Sequence, residues 1–254
     1  MISIARLNPF SRIAGCEIVG IELSANFLKL VHLKSSLQKS EILNILSKDI
    51  TNLNEDETAK ALKALFLELK AKNPRIVNIV SASLAITKNI EIPSCDHAEI
   101  REIISLQAGR HTPYSREEII VDYVDLGAYK NSYTKILLVI VARNIVKRHY
   151  ETLSKAGLKP EKIFFAPEGL ALSAGRLLKL GSENMPVSVV NIDDVSSDFT
   201  VIFRNKPLFV RSISIGRQHL SAEHKEIYNK KFVEELKKSF ESYQAEGLDK
   251  PPNI

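Results

Sequence analysis

Val19-Gly-Ile-Glu-Leu-Ser-Ala-Asn-Phe-Leu-Lys-Leu-Val-His-Leu33 decides the fold. Apolar and branched residues dominate on both sides of a polar break. That pattern predicts a β-hairpin: a strand over Ile18–Leu23, a tight turn at Ser24-Ala25-Asn26 and a strand over Phe27–Leu33. Val187-Ser-Val-Val-Asn-Ile-Asp-Asp-Val-Ser-Ser-Asp-Phe-Thr-Val-Ile-Phe203 has the same build. Two such hairpins in one chain predict a duplicated architecture, each half opening on a hairpin whose turn faces a shared cleft.

Outward from the first hairpin, Glu41–Lys48 predicts a third strand, with Ile42, Leu43, Ile45 and Leu46 as its apolar content. Asn54-Glu-Asp-Glu57 is a capping-box start, and Ala59, Leu62, Leu65, Phe66 and Leu69 then fall on one helical face. Asn73-Pro74 ends that helix, and Arg75–Ser81 predicts a buried strand. Residues 84–142 read as a compact α+β insert: a strand to Ile92, a helix over His97–Arg110 capped by Asp96 with Glu99, and strands over Ile119–Leu126 and Tyr133–Ala142. Asn144–Ala156 is a helix stopped by Gly157, and Lys162–Phe165 a short strand. A helix runs from Pro167 to Leu180 and stops at Gly181. The second hairpin is followed by a strand over Pro207–Ile215, a break at Gly216, and a long basic helix over Lys225–Glu246 with Phe232, Leu236, Phe240 and Tyr243 on one stripe. The domains are then a leader over 1–15, a first half-domain over 16–83 with a return helix at 144–156, the insert over 84–142, and a shortened second half over 157–254. The final Asn253-Ile254 reads as a strand only begun, so the sequence reads as part of a longer protein.

The chain has 254 residues, 44% of them hydrophobic and 26% charged, which is ample for a buried core. It has no apolar run of membrane-spanning length. Residues 1–16 lack the apolar centre of a secretory signal; Ile2–Ile13 reads as a weakly amphipathic surface helix or a disordered leader. The two cysteines, Cys16 and Cys95, have no metal-type spacing and fit a reducing, cytosolic compartment. Net charge is +5, but the lysines are not interleaved with aromatics and tryptophan is absent, so no nucleic-acid module is read. Lys230, Lys231, Lys237 and Lys238 read as the wet face of the last helix or as a contact with anionic lipid or an acidic partner. His219 and His224 fall on different helix faces and have no third ligand, and no nucleophile elbow surrounds Ser196.

Several segments, in order, carry a resemblance. They are Glu22-Leu-Ser-Ala-Asn-Phe-Leu-Lys-Leu-Val31, Gln107-Ala-Gly-Arg-His-Thr-Pro-Tyr114 with Glu117-Glu-Ile-Ile-Val-Asp-Tyr123, Ala156-Gly-Leu-Lys-Pro160, Pro167-Glu-Gly-Leu170 and Ser212-Ile-Ser-Ile-Gly216. Over roughly residues 16–248 the chain resembles the PilM family of type IV pilus assembly proteins. Related architectures occur in FtsA and in the cytoplasmic domain of GspL. The resemblance implies an α/β, actin-like (ribonuclease H-like) fold of two halves with a small α+β insert, the second half incomplete. It implies ATP and magnesium between the halves, held by the two hairpin turns. It also implies a partner: the N-terminal peptide of a PilN-like single-span membrane protein, docked between the insert and the first half-domain. With other pilus platform proteins, that partner would hold the chain at the cytoplasmic side of the inner membrane.

The residues at the expected phosphate turns depart from that pattern. A phosphate cradle needs small residues, free backbone N–H groups and a carboxylate for magnesium. Glu22 keeps a carboxylate, one methylene longer than the usual Asp, and is the candidate magnesium ligand. Ser24 replaces a glycine, Asn26 completes the turn, and Phe27 stands where a small hydroxyl residue is usual. In the second turn Asn191 replaces the acid and Asp193 the glycine, with Asp194 beside it. Two carboxylates facing a phosphate would each repel it by roughly 2–4 kcal/mol at an effective dielectric near 20. Ser196 and Ser197 still offer hydroxyls, and Lys29 offers a cation. The resemblance also implies a Gly-rich turn completing the adenosine pocket, after a strand that Asn253-Ile254 only begins, and that turn is missing from the sequence.

The leading reading is therefore a scaffold with a degenerate nucleotide site, which binds a peptide through Ser83, Ile86, Ile90, Tyr114, Val121 and Tyr123. Two alternatives stand beside it. One is an active ATPase using Glu22, Lys29 and Asn191; the other is a type II secretion platform subunit of the GspL kind.

Overall fold

The computed structural model describes residues 16–36, 40–129, 132–177, 185–221 and 225–248. The expected leader helix, the stop at Gly181, His224 and the chain's last residues lie outside them. The chain divides into two compact units. One comprises Met1–Ser81 with Arg143–Ala166, the other Ala82–Ala142 with Pro167–Ile254.

In the first unit the opening hairpin forms as expected. Strands β1 (Cys16–Leu23) and β2 (Phe27–Ser35) are antiparallel, and Leu23 faces Leu28. β3 (Ser40–Asp49) pairs with β2, and β4 (Arg75–Val80) runs parallel to β1. Helix α1 (Glu55–Glu68) starts at the predicted capping box: Asn54 accepts from the Glu57 N–H at 2.9 Å, and the Glu57 carboxylate accepts from the Asn54 N–H at 2.9 Å. Leu62, Leu65 and Leu69 of its apolar face pack on Val19, Ile21, Leu28 and Leu30. Helix α3 (Arg143–Lys155) returns to this unit and adds Leu153 to the same core. Gly157 (φ +80) closes it, the Leu158 N–H reaching back to the Leu153 carbonyl at 2.9 Å. β8 (Lys162–Phe165) pairs parallel with β4, giving the order β3-β2-β1-β4-β8. This corrects the expectation that the second half opens at residue 157. Lys162–Phe165 belongs to the first sheet, because the strand that receives it, β4, comes much earlier in the chain.

A buried polar link sits under that sheet. The Asn78 amide on β4 donates to the Ile21 carbonyl at 3.3 Å, and its oxygen meets His149 Nδ1 of α3 at 3.2 Å. Both residues are buried.

The second unit contains the insert and the second hairpin. β5 (Ala85–Ile92), β7 (Tyr133–Ala142) and β6 (Ile119–Tyr129) form a sheet in that order. Helix α2 (His97–Gln107) covers one face, with Ile100 and Ile104 against Ile136, Leu138 and Ile140. Asp96 caps it, accepting from the Ala98 and Glu99 N–H groups at 2.8 and 3.0 Å. Glu99 instead takes the Ser94 hydroxyl at 2.6 Å. The helix ends three residues before the expected Arg110, in a short 3₁₀ turn over Ala108–His111. Helix α4 (Ala166–Leu177) precedes the second sheet. That sheet has the order β11-β10-β9, from β9 (Val187–Ile192), β10 (Ser197–Phe203) and β11 (Lys206–Ile213). β11 also touches the insert, where the Thr87 hydroxyl donates to the Val210 carbonyl at 2.8 Å. A short α5 (Arg217–Leu220) leads to α6 (Lys225–Ala245). Phe232, Leu236 and Tyr243 of α6 pack on Phe199, Val201 and Phe209. Phe240, expected on that stripe, is 47% exposed, its ring edge-to-face with Phe199 at 4.8 Å between centroids.

Candidate functional site

The two hairpin turns, one in each unit, are built alike. In the first, the Ser24 N–H donates to the Phe27 carbonyl at 2.9 Å; in the second, the Asp193 N–H donates to the Ser196 carbonyl at 2.9 Å. By register Glu22 corresponds to Asn191 and Ser24 to Asp193.

The first turn uses its own polar groups. The Ser24 hydroxyl donates to the Phe27 carbonyl at 3.0 Å and accepts from the Phe27 N–H at 3.1 Å. The Asn26 carbonyl accepts from Ile50 N–H at 2.8 Å. Glu22 faces Lys29 across the strands, and the two form an ion pair at 3.6 Å. The structure thus brings Glu22, Ser24, Asn26 and Lys29 together.

In the second turn Asn191 is exposed at the end of β9. Ser196 is half-buried. Ser197, expected to offer a free hydroxyl, is buried and donates to the Ile215 carbonyl at 2.6 Å. That expectation is corrected: the hydroxyl ties β10 to the chain leaving β11. Asp194 is also buried, and Arg217 meets its carboxylate at 2.7 Å. The repulsion expected from Asp194 is therefore offset within the fold. The start of α5 is pressed onto this turn. The Arg217 and Gln218 N–H groups donate to the Asp193 and Asp194 carbonyls at 2.8 and 3.0 Å. Gly216 makes this approach feasible: a Cβ there would lie 2.5 Å from the Asp194 oxygen and the Ser196 nitrogen. Sequence reasoning read Gly216 as a strand break and missed Arg217. The available signal was a Gly-Arg pair directly after an apolar strand, in a chain with two adjacent acids elsewhere. Among the described residues, no group of three or more His, Cys, Asp or Glu side chains converges to hold a metal.

The six expected partner-binding residues divide. Ile86, Ile90 and Val121 are half-buried and share the α2-facing side of the insert sheet. Ile90 also borders a cavity of about 220 Å³ lined by Lys88, Glu91, Lys135, Ile136 and Leu248. Ser83 is exposed, and Tyr114 is 45% exposed on the segment after α2. Tyr123 is only 4% exposed and its hydroxyl meets His97 Nδ1 at 3.2 Å. Tyr123 is thus a core residue of the insert, placed inward by its position opposite Leu138.

The chain resembles several solved structures. A PilM–PilN type IV pilus biogenesis complex matches at 23% identity and TM-score 0.68, over 79% of this chain and 62% of that one. The chain thus spans less than two thirds of the length of that relative. The cytoplasmic domain of EpsL, an inner membrane component of the type II secretion system of Vibrio cholerae, matches at 12% identity and TM-score 0.51, over 82% and 76%. A Bacteroides thetaiotaomicron protein of actin-like ATPase fold and unknown function matches at 18% identity and TM-score 0.48, over 91% and 81%. The fold is actin-like. No curated protein matches the sequence. The family described as type IV pilus assembly protein PilM matches residues 20–246, and the chain belongs to that family.

Proposed function

We propose that the chain is a cytoplasmic, actin-like scaffold of a type IV pilus inner-membrane platform, which docks the N-terminal peptide of a PilN-like membrane protein and has no working nucleotide site. The observation that carries this reading is that both turns commit polar groups within the protein, the first to its own backbone and the second to Ile215 and Arg217 after β11. A magnesium-bound triphosphate needs free N–H groups and a carboxylate free to hold the metal's waters. Here the Ser24 and Ser197 hydroxyls donate to backbone carbonyls, Glu22 is paired with Lys29, and an amide, Asn191, stands at the second acidic position. These residues do not fit the group.

Docking of a peptide is supported by the insert. Ile86, Ile90 and Val121 offer half-buried apolar surface beside exposed Ser83 and Tyr114. An extended segment gains affinity there from apolar side chains set into such surface. Among the described residues no helix is long and apolar enough to cross a membrane. A membrane-anchored partner accounts for attachment to the platform.

The test is fluorescence anisotropy with a labelled synthetic peptide of the N-terminal cytoplasmic segment of the PilN-like protein from the same organism. Saturable binding is expected. Tyr114→Ala and Ser83→Arg, both at exposed positions, should weaken it about tenfold, on the order of 1.4 kcal/mol, with thermal stability unchanged. Tyr123→Ala should instead destabilise the insert by about 3–5 kcal/mol, as expected for emptying an aromatic site in a core. Unchanged affinity in Tyr114→Ala and Ser83→Arg would count against this docking surface.

A further inference from the structure

β3 is the outer strand of the first unit's sheet, with β2 on one side and no strand of the described residues on the other. Its sequence, Ser40-Glu-Ile-Leu-Asn-Ile-Leu-Ser-Lys-Asp49, contains no proline or glycine. Every residue but Leu46 is exposed, including Ile42 at 59%, Leu43 at 39% and Ile45 at 66%. Monomeric proteins usually blunt such edges with proline, short length or inward charge, because an open apolar edge templates a further strand. β3 is long and lacks proline; it carries a bulge and charges near its ends, but its exposed apolar residues sit between those charges.

The register with β2 sorts its side chains. A bulge opposite His32 and Leu33 shifts the alternation between Ile42 and Asn44. Glu41, Asn44, Leu46 and Lys48 face Lys34, His32, Leu30 and Leu28, and so lie on the face covered by α1. Ile42, Ile45 and Ser47 face Leu33, Val31 and Lys29 on the other side, where Val31 and Leu33 are half-buried. The strand therefore carries Glu41 and Lys48 near its two ends on one face and Ile42 and Ile45 between them on the other, where Asp49 also lies, opposite Phe27.

We propose that β3 is the interface between two copies of this chain, joined edge to edge and antiparallel about a two-fold axis. The charges choose both the occupant and the direction. With the axis at Ile45 and the Leu43 bulge kept in both copies, Glu41 of each copy stands opposite Lys48 of the other, on the same face. Ile42 stands opposite Ser47, and the two Ile45 side chains adjoin across the axis. A parallel pairing in register would set Glu41 on Glu41 and Lys48 on Lys48. Opposite charges across strands stabilise a pair and like charges destabilise it. The strand is thus complementary to itself in one direction, as an isologous interface requires. The two five-stranded sheets become one continuous sheet.

Sedimentation velocity over a wide concentration range tests this. The chain should populate a dimer that dissociates on dilution. Ile45→Lys, at an exposed site, should give a monomer with an unchanged circular dichroism spectrum. Glu41→Lys alone and Lys48→Glu alone should each raise the dimer dissociation constant several-fold, and the double variant should restore it. A monomer at every concentration overturns the proposal. So does a dimer indifferent to Ile45→Lys, or one in which the charge reversals fail to compensate.

Discussion

At the scale of single residues, what a side chain can do is set by what already holds it. The Ser197 hydroxyl has one task, its 2.6 Å bond to the buried Ile215 carbonyl. Ser197→Ala should lower stability by about 1–2 kcal/mol in urea unfolding, the cost of leaving that carbonyl without its donor. A site residue for phosphate would show no such stability loss. Gly216 is constrained by space. Gly216→Ala would press a methyl against backbone atoms of Asp193, Asp194 and Ser196, at 2.5–2.6 Å. Backbone cannot rotate away, so a loss of about 1–3 kcal/mol is expected, seen as a lower urea midpoint. These residues also show how much of the candidate site was legible. The turns and their residue types were readable from Glu22-Leu-Ser-Ala-Asn26 and Asn191-Ile-Asp-Asp-Val-Ser-Ser197. The commitment of each group was not, because Arg217 and Ile215 reach the second turn from a separate strand-to-helix connection. Tyr123 was misread for the same reason: an aromatic in an acidic strand looks available until its partners His97 and Leu138 are known.

Between elements, the contact of α3 with β4 responds to pH. Burial, with a smaller contribution from the Arg148 charge, pushes His149 down from the usual 6.5 to about 4. The imidazole is therefore neutral in the fold and donates from Nδ1 to the Asn78 amide oxygen. The unfolded chain takes up a proton near pH 6.5, which the folded chain resists until about pH 4. Stability is thus full above pH 6.5 and falls as pH drops towards 4, by an amount on the order of 3 kcal/mol. Thermal unfolding at pH 7 and pH 5 should differ more in the wild type than in His149→Gln, which has no proton to gain. An equal difference would contradict the burial argument. Elements whose signals are local were read well: α1 from its capping box, the stop at Gly157, and the two hairpins from alternation around polar turns. What depends on pairing across long separations was not. Lys162–Phe165 was recognised as a strand but given to the wrong half, and Glu41–Lys48 was recognised as a strand without any sign that it lies exposed at a sheet edge.

For the whole molecule, two hairpins of one build frame an actin-like chain of the PilM family. The chain spans 62% of the matched chain in the PilM–PilN complex. In the proposed role the turns give up phosphate while the fold keeps a docking surface. Calorimetric titration of Mg-ATP into the folded chain, up to millimolar nucleotide, decides this. No saturable heat is expected, with the peptide still bound in a parallel titration. Saturable, magnesium-dependent heat that Glu22→Ala abolishes would contradict it and return the chain to the nucleotide-switching class.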